Sequence, residues 1–478
     1  MKHGRRSGLV LAGISAISLV TAIAGTALAS PASGVKGDPQ PELKPFKLGN
    51  LAASSAGNIA MEPDGSLVAV YDIASGQGKT LVCLLNRAAN SCASKPVLSP
   101  LSGDDTFGTP QVFIPSANHV DVLQEACCDN SASGGNVFFT STDGGRAFGP
   151  PVRVGNLDVD AAALVGSQVV FAQASPGSGA QVQSISVTSP APPASTAIAT
   201  PKPPTDVAVG SYHNGALVAS DYDGPSFYET YVGYAASGSQ FGVSSSYKQV
   251  GAFGKEQLIG MSGDALLTIQ DDGHTSVELR LFNGKGFSPA ESVPGTTGGG
   301  PEWFAVDQDP SGAVHVFSER GLATPIYDLI ENTTTNGGKS WSAPVDLGNA
   351  IDDTGFAAAL DSHGSGLVLG TSDPLAYPVL ASQGVSFKIA PASIRKGKSA
   401  TASGKGSPAA SGRVVTLQVE RSGKWFNVAT THEGSGGSFS FKIKGTSAGS
   451  FRYRAVAADL AGYLLYGYSN AQSLRVTG

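Results

Sequence analysis

Apolar positions along this chain come in short runs, and the runs are of two kinds. Up to about residue 387 they are compact blocks of four to seven residues, such as Leu67-Val68-Ala69-Val70-Tyr71, cut off by Gly, Asp, Asn and Ser. Beyond it they alternate strictly with polar residues, as in Val414 to Glu420, Phe439 to Ile443 and Phe451 to Val456. Blocks bounded by turn formers predict strands buried on both faces, and alternation predicts strands with one wet face. No stretch carries the spacing of a long amphipathic helix. The chain is expected to be all-β.

The compact blocks repeat. First strands centre near Ile59, Val112, Ala161, Val207, Leu258, Phe304 and Phe356, at spacings of 53, 49, 46, 51, 46 and 52 residues. A second apolar strand follows each and ends on an acidic residue or, once, Gln. A period near 50 built of strands predicts a β-propeller of six or seven blades, with seven preferred. Phe46-Lys47-Leu48-Gly49-Asn50 is expected to add an outer strand to the short seventh repeat.

A turn recurs downstream of each first strand. Its clearest copies are Ser141-Thr142-Asp143-Gly144-Gly145-Arg146-Ala147-Phe148 and Thr334-Thr335-Asn336-Gly337-Gly338-Lys339-Ser340-Trp341. Asp143 or Asn336 caps its own turn, the glycines take positive φ, and Phe148 or Trp341 plugs the gap between strands. Ser141, Asp143, Gly145 and Phe148, with Thr334, Asn336, Gly338 and Trp341, resemble the Asp-box of sialidases and other BNR-repeat proteins. That resemblance covers residues 46–387 and implies a sialidase-like propeller. The tail, 388–478, resembles bacterial immunoglobulin-like modules through Gly412-Arg413-Val414-Val415, Gly423-Lys424-Trp425 and Gly449-Ser450-Phe451-Arg452. It is expected to be a β-sandwich serving as a spacer or wall contact.

Targeting and charge narrow the setting. Lys2, Arg5 and Arg6 precede an apolar stretch that ends at Ala27-Leu28-Ala29, so residues 1–29 read as a secretory signal peptide and 30–45 as a linker. The protein is expected to be secreted or held at the cell surface, without a membrane span. Cys83 and Cys92 flank a short turn and are expected to form a disulfide, whereas Cys127 and Cys128 are adjacent. Residues 30–387 hold 15 basic and 34 acidic residues, and the chain from Lys388 holds 13 basic and 3 acidic. An acidic body is thus joined to a basic tail, which bears on partners rather than on fold. The acidic body argues against nucleic acid; a glycan or cell-wall polymer is the expected partner.

Propeller topology would place the ends of the second strands and the links between blades on one face. That face would carry Asp72, Glu125, Asp221, Asp271, Glu319 and Asp373, together with Glu302, Trp303 and Arg320. Crowded carboxylates raise one another's pKa or take up a cation, for which Ca²⁺ is the expected choice. The plainer reading is that Asp at a strand end is a turn former. A sialidase would need three Arg converging on a substrate carboxylate, with a Tyr–Glu pair and an Asp beside them. The body has only Arg87, Arg146, Arg153, Arg280 and Arg320, and the family's F/Y-R-I-P motif is absent. The resulting expectation is a non-catalytic sialidase-like propeller that binds a glycan or cation on its acidic face. The alternative is a secreted glycoside hydrolase acting through a carboxylate pair.

Overall fold

A computed structural model describes residues 45–48, 57–73, 79–85, 92–99, 104–128, 135–155, 159–175, 179–190, 196–198, 204–223, 228–236, 248–254, 256–270, 276–296, 304–323, 326–350, 355–370, 375–380, 383–458 and 467–478. The chain divides into two compact units, one within Leu43–Val379 and one within Leu380–Gly478.

The first unit contains seven sheets in chain order. Each begins with a strand that carries an apolar block: Gly57–Met61, Asp104–Ser116, Ala161–Val165, Asp206–Tyr212, Glu256–Ser262, Phe304–Gln308 and Phe356–Leu360. In the first six sheets the following strands pair antiparallel in sequence order, except that Val97–Leu98 in the first sheet pairs back with Lys79–Leu85. The first strands of the first, third and seventh sheets are buried along their whole length, which is why they read as unbroken apolar blocks. In the seventh sheet the outer strand comes from the start of the chain, where Phe46 pairs with Ala376 and Lys47 with Leu375.

Neighbouring sheets bury their apolar faces against each other. Val68 and Val70 of the first sheet share a cluster with Val112, Val120 and Val137 of the second. Ile59 and Tyr71 of the first share another with Ala357 and Leu369 of the seventh. Buried polar side chains add links between sheets. Asn58 donates to Gln111 at 2.8 Å and Thr80 to Gln124 at 2.9 Å. Asp307 accepts from the Leu360 N–H at 2.9 Å and from Ser262 Oγ at 3.4 Å, so one carboxylate spans three sheets.

The second unit packs a sheet of three strands, Gly384–Ala390, Ser399–Ser407 and Ser438–Lys444, against a larger one. The larger sheet runs through Ser393–Arg395, Gln472–Thr477, Gly449–Ala457, Val414–Arg421 and Lys424–His432, with Gly467–Tyr468 beside the middle strand. Its first pair, Ser393–Arg395 with Gln472–Thr477, is parallel. Alternate residues Ala400, Ala402, Phe439, Phe441 and Ile443 from one sheet meet Val415, Leu417, Ala455, Leu474 and Val476 from the other in one core. Replacing Phe441 with Ala in such a core costs roughly 3–5 kcal/mol.

The propeller expectation is corrected here. The strand period was real, and it records seven small sheets, each complete within its own stretch of sequence except the last. No sheet closes on itself, and hydrogen bonding does not run from one to the next. The protein is all-β, the described residues form nine discrete small sheets, and it is assigned neither the propeller nor the immunoglobulin-like class. The physical reason is that strand periodicity fixes what happens inside a sheet. It carries no information on closure between sheets.

Candidate functional site

The acidic residues picked out at strand ends are occupied by the fold. Glu125 is buried and its Oε1 accepts the Val159 N–H, while Gly108, at φ +73°, lies directly against its other oxygen. Asp160 Oδ2 accepts the Ala174 N–H at 2.7 Å, and Asp206 Oδ1 accepts that of Val207 at 2.8 Å. Asp221 is 1% exposed and accepts from Thr230 Oγ1 at 3.0 Å. Asp72 and Glu319 are buried as well. Asp271, Glu302, Trp303 and Asp373 lie outside the described residues, as does the side chain of Arg320. Among the described residues, no three or more His, Cys, Asp and Glu are grouped to hold a metal ion. The expected acidic binding face is therefore withdrawn along with the propeller that defined it. Glu125, Asp160 and Asp206 satisfy backbone N–H groups, which is the role of a turn former.

Burial has an electrostatic consequence. Desolvation lifts the Asp206 carboxyl to about 7, against the pull of the Val207 N–H, and the nearby Asp160 charge adds to the rise. Asp307 is lifted to about 7 for the same main reason.

The two glycine turns are built from side chain to backbone. Ser141 Oγ accepts the Gly145 N–H at 2.9 Å and donates to Asp143 Oδ1 at 2.8 Å. Asp143 Oδ1 also accepts from the N–H groups of Arg146 and Ala147 at 3.0 and 2.9 Å. Thr334, Asn336, Gly338 and Ser340 repeat the arrangement. Gly145 has φ +78°, and a Cβ there would meet Leu84 at 2.9 Å, so the position demands glycine. Phe148 and Trp341 pack against neighbouring core clusters. These are structural turns. They do not carry the Asp-box or sialidase-like assignment, which the sheet topology leaves unsupported. Cys83 and Cys92 are joined by a disulfide.

One buried cluster gave no signal in the sequence. His315 Nδ1 lies 2.8 Å from Glu331 Oε1, and its Nε2 lies 3.4 Å from Asp309 Oδ2. Burial opposes the charge on this ring, yet hydrogen bonds to Asp309 and Glu331 and their charges hold it protonated, up to about 10. Asp309 also accepts from the N–H groups of Ser311 and Ala313, closing its own turn. His315 and Asp309 are six residues apart, a spacing with no helical or strand meaning. Only the hairpin brings them together.

The tail distributes its charge differently. On the three-stranded sheet, Val385, Ala402, Phe439 and Phe441 point to the core. The alternate residues Lys388, Lys405, Lys442 and Lys444 are exposed, interspersed with Ser386, Thr401, Ser403 and Ser440. In register, Lys405 lies opposite Ser438 and Ser386, and Thr401 opposite Lys442. Lys442 and Lys444 lie two residues apart on one strand, about 7 Å. None of the tail's three acidic residues is described on this face. Glu433 is buried against Arg413 at 2.6 Å, Glu420 pairs with Arg452 at 2.6 Å on the other sheet, and Asp459 lies outside the described residues. Among the described residues of the tail, the face carries positive charge without a carboxylate, set among hydroxyls.

Comparison with known proteins adds little. No family model matches the chain, and no curated protein matches it. Among solved structures, the chain is similar to the Hadza microbial sialidase Hz136 at 10% identity and a TM-score of 0.40. That match covers 68% of this chain and 65% of that one, so it spans less than two thirds of the sialidase. A protein of unknown function from Dyadobacter fermentans DSM 18053 matches at 10% identity over 92% of this chain and 100% of that one, with a TM-score of 0.27. A tetra-tandem repeat in the extending region of a large adhesion protein matches at 12% identity over 89% and 93%, with a TM-score of 0.18. Likeness at this level assigns neither fold nor activity. The sialidase-like reading of the sequence, and the glycoside hydrolase alternative with it, go no further.

Proposed function

We propose that this is an exported protein of the cell envelope whose C-terminal unit holds an anionic wall polymer on its lysine face. Export rests on the leader at residues 1–29, and among the described residues no helix is long and apolar enough to cross a membrane. The observation that carries the reading is the arrangement of Lys388, Lys405, Lys442 and Lys444 on one sheet face, with no carboxylate on that face among the described residues of the tail. Lysine ammonium groups on flexible stems, set among hydroxyls, suit a repeating carboxylate or phosphate polymer whose charges need no fixed geometry. The acidic first unit repels such a polymer, so contact is directed to the tail. The same acidic bulk disfavours nucleic acid as the partner.

The test uses the mature full-length chain with polygalacturonate and inorganic polyphosphate as carboxylate and phosphate probes, and neutral dextran as control. Binding to at least one polyanion is expected, falling steeply as salt rises from about 0.05 to about 0.5 M. The variant with all four lysines changed to Gln should lose it while keeping its melting temperature. Equal binding by parent and variant, or no binding to either polyanion at low salt, would overturn the reading.

A further inference from the structure

The opposite side of the tail unit has a different chemistry. Strand alternation turns Gln418, Asn427, Trp425, Arg454 and Tyr468 outward from the larger sheet. Register sets Gln418 opposite both Arg454 and Asn427, Glu420 opposite Trp425, and Val456 opposite Tyr468. Arg454 is only 2% exposed, although it stands on the outer face of a sheet. Its guanidinium carbon lies 4.4 Å from the centre of the Trp425 ring and 4.8 Å from that of Tyr468. Its Nε donates to Gln418 Oε1 at 2.7 Å, and Gln418 Nε2 in turn donates to Asn427 Oδ1 at 2.8 Å.

We infer that this face is a second binding site, distinct from the lysine face, at which Trp425 and Tyr468 stack a neutral sugar ring. The buried guanidinium covers one face of each aromatic ring, and both rings remain partly exposed. Cation–π contact and the Gln418 hydrogen bond fix the rings before any ligand arrives, which removes part of the ordering cost of binding. Partly exposed aromatic surface of this kind fits the C–H face of a pyranose. Asn427 is exposed and has two N–H donors for ring hydroxyls. Thr430 and Ser473, both exposed, continue the uncharged polar rim on neighbouring strands. Amide and hydroxyl around stacked aromatics match a polyhydroxylated ring better than an apolar peptide. The one carboxylate described on this face, Glu420, is taken by Arg452.

The experiment titrates the mature full-length protein with hexasaccharides of glucose and of N-acetylglucosamine in about 0.5 M salt, where the lysine face is screened. Calorimetry and tryptophan fluorescence read the binding. At least one hexasaccharide should bind, and Trp425→Ala and Tyr468→Ala should each weaken it about tenfold or more. Both variants should still bind polyanion at low salt, so failure here is separable from failure of the lysine face. If Trp425→Ala unfolds the tail, Trp425→Phe and Asn427→Ala read the same contact, with the first retaining most of the affinity and the second losing several-fold. No binding of either hexasaccharide would overturn the inference, as would affinity unchanged in Tyr468→Ala and Asn427→Ala.

Discussion

The two units spend their charge in opposite ways. In the first, carboxylates such as Glu125, Asp221 and Asp307 are buried and Asp206 is half-buried, and hydrogen bonds to backbone N–H or hydroxyl groups take them up. In the second, lysines stand outward on alternate strand positions, and only the Arg413–Glu433 pair and Arg454 are buried among the charges described. A large net charge therefore points to a binding surface in one unit and to architecture in the other. Sign and quantity of charge do not locate a site. Exposure and the absence of an internal partner do.

That contrast can be broken or sharpened by substitution, and the largest effect belongs to the tail's own exception. Arg413 and Glu433 side chains are both wholly buried, and Arg413 also donates to the Pro408 carbonyl at 3.0 Å. Arg413→Ala leaves the buried Glu433 carboxylate without its counter-ion, with only the Ala410 N–H donating to it at 3.0 Å, so the tail should lose roughly 3–5 kcal/mol. Urea unfolding followed by Trp425 fluorescence checks this, and a loss under about 1 kcal/mol would show that water reaches the pair.

His315 should come next. Its folded pKa, about 10, lies above the ordinary histidine value. The stabilisation it brings is therefore full below about pH 6.5 and is lost as pH rises toward 10. His315→Ala should cost about 3 kcal/mol at pH 6 and progressively less by pH 10, because Asp309 and Glu331 lose a buried cation. Parallel stability curves for parent and variant across that range would refute the buried imidazolium.

Replacing Asp206 should have the opposite sign, although its pH dependence runs the same way. Its folded pKa, about 7, lies above the usual carboxylate value, so the native state holds a proton that the unfolded chain has released. Stability attributable to this group falls as pH rises from about 4 to 7. Asp206→Asn keeps an acceptor for the Val207 N–H, and it should stabilise the first unit by about 2 kcal/mol at pH 8 and hardly at all at pH 4. Thermal melts at the two pH values decide it. The smallest effect belongs to the exposed lysines: Lys442→Gln should shift stability by less than about 0.5 kcal/mol while weakening polyanion binding.

Much of the architecture was legible. The seven expected strand centres, from Ile59 to Phe356, all fall within the first strands of the seven sheets, because a doubly buried strand leaves an unmistakable apolar block. The strict alternation from Val414 to Glu420 likewise marked a strand with one face in the core. What periodicity did not supply was the relation between sheets, and the propeller with its acidic face was built on that gap. Asp206 and Glu125 look the same in sequence whether they line a mouth or cap a neighbouring strand. Trp425, Arg454 and Tyr468 gave no joint signal, since Arg454 and Trp425 reach each other only across the intervening strand Val414–Arg421. The basic tail was visible as composition. That four of its lysines share one face with hydroxyls needed the register.

The pairing of Phe46–Lys47 with Leu375–Val379 constrains how the first unit is made. Its seventh sheet is finished by the segment synthesised first, which has no partner until the strand at Leu375 has emerged. Six sheets can form in order as the chain appears, but the last waits on a contact between opposite ends of the unit. Closing so long a loop is entropically expensive and favours late, slow assembly. The seventh sheet should thus be the last of the unit to form.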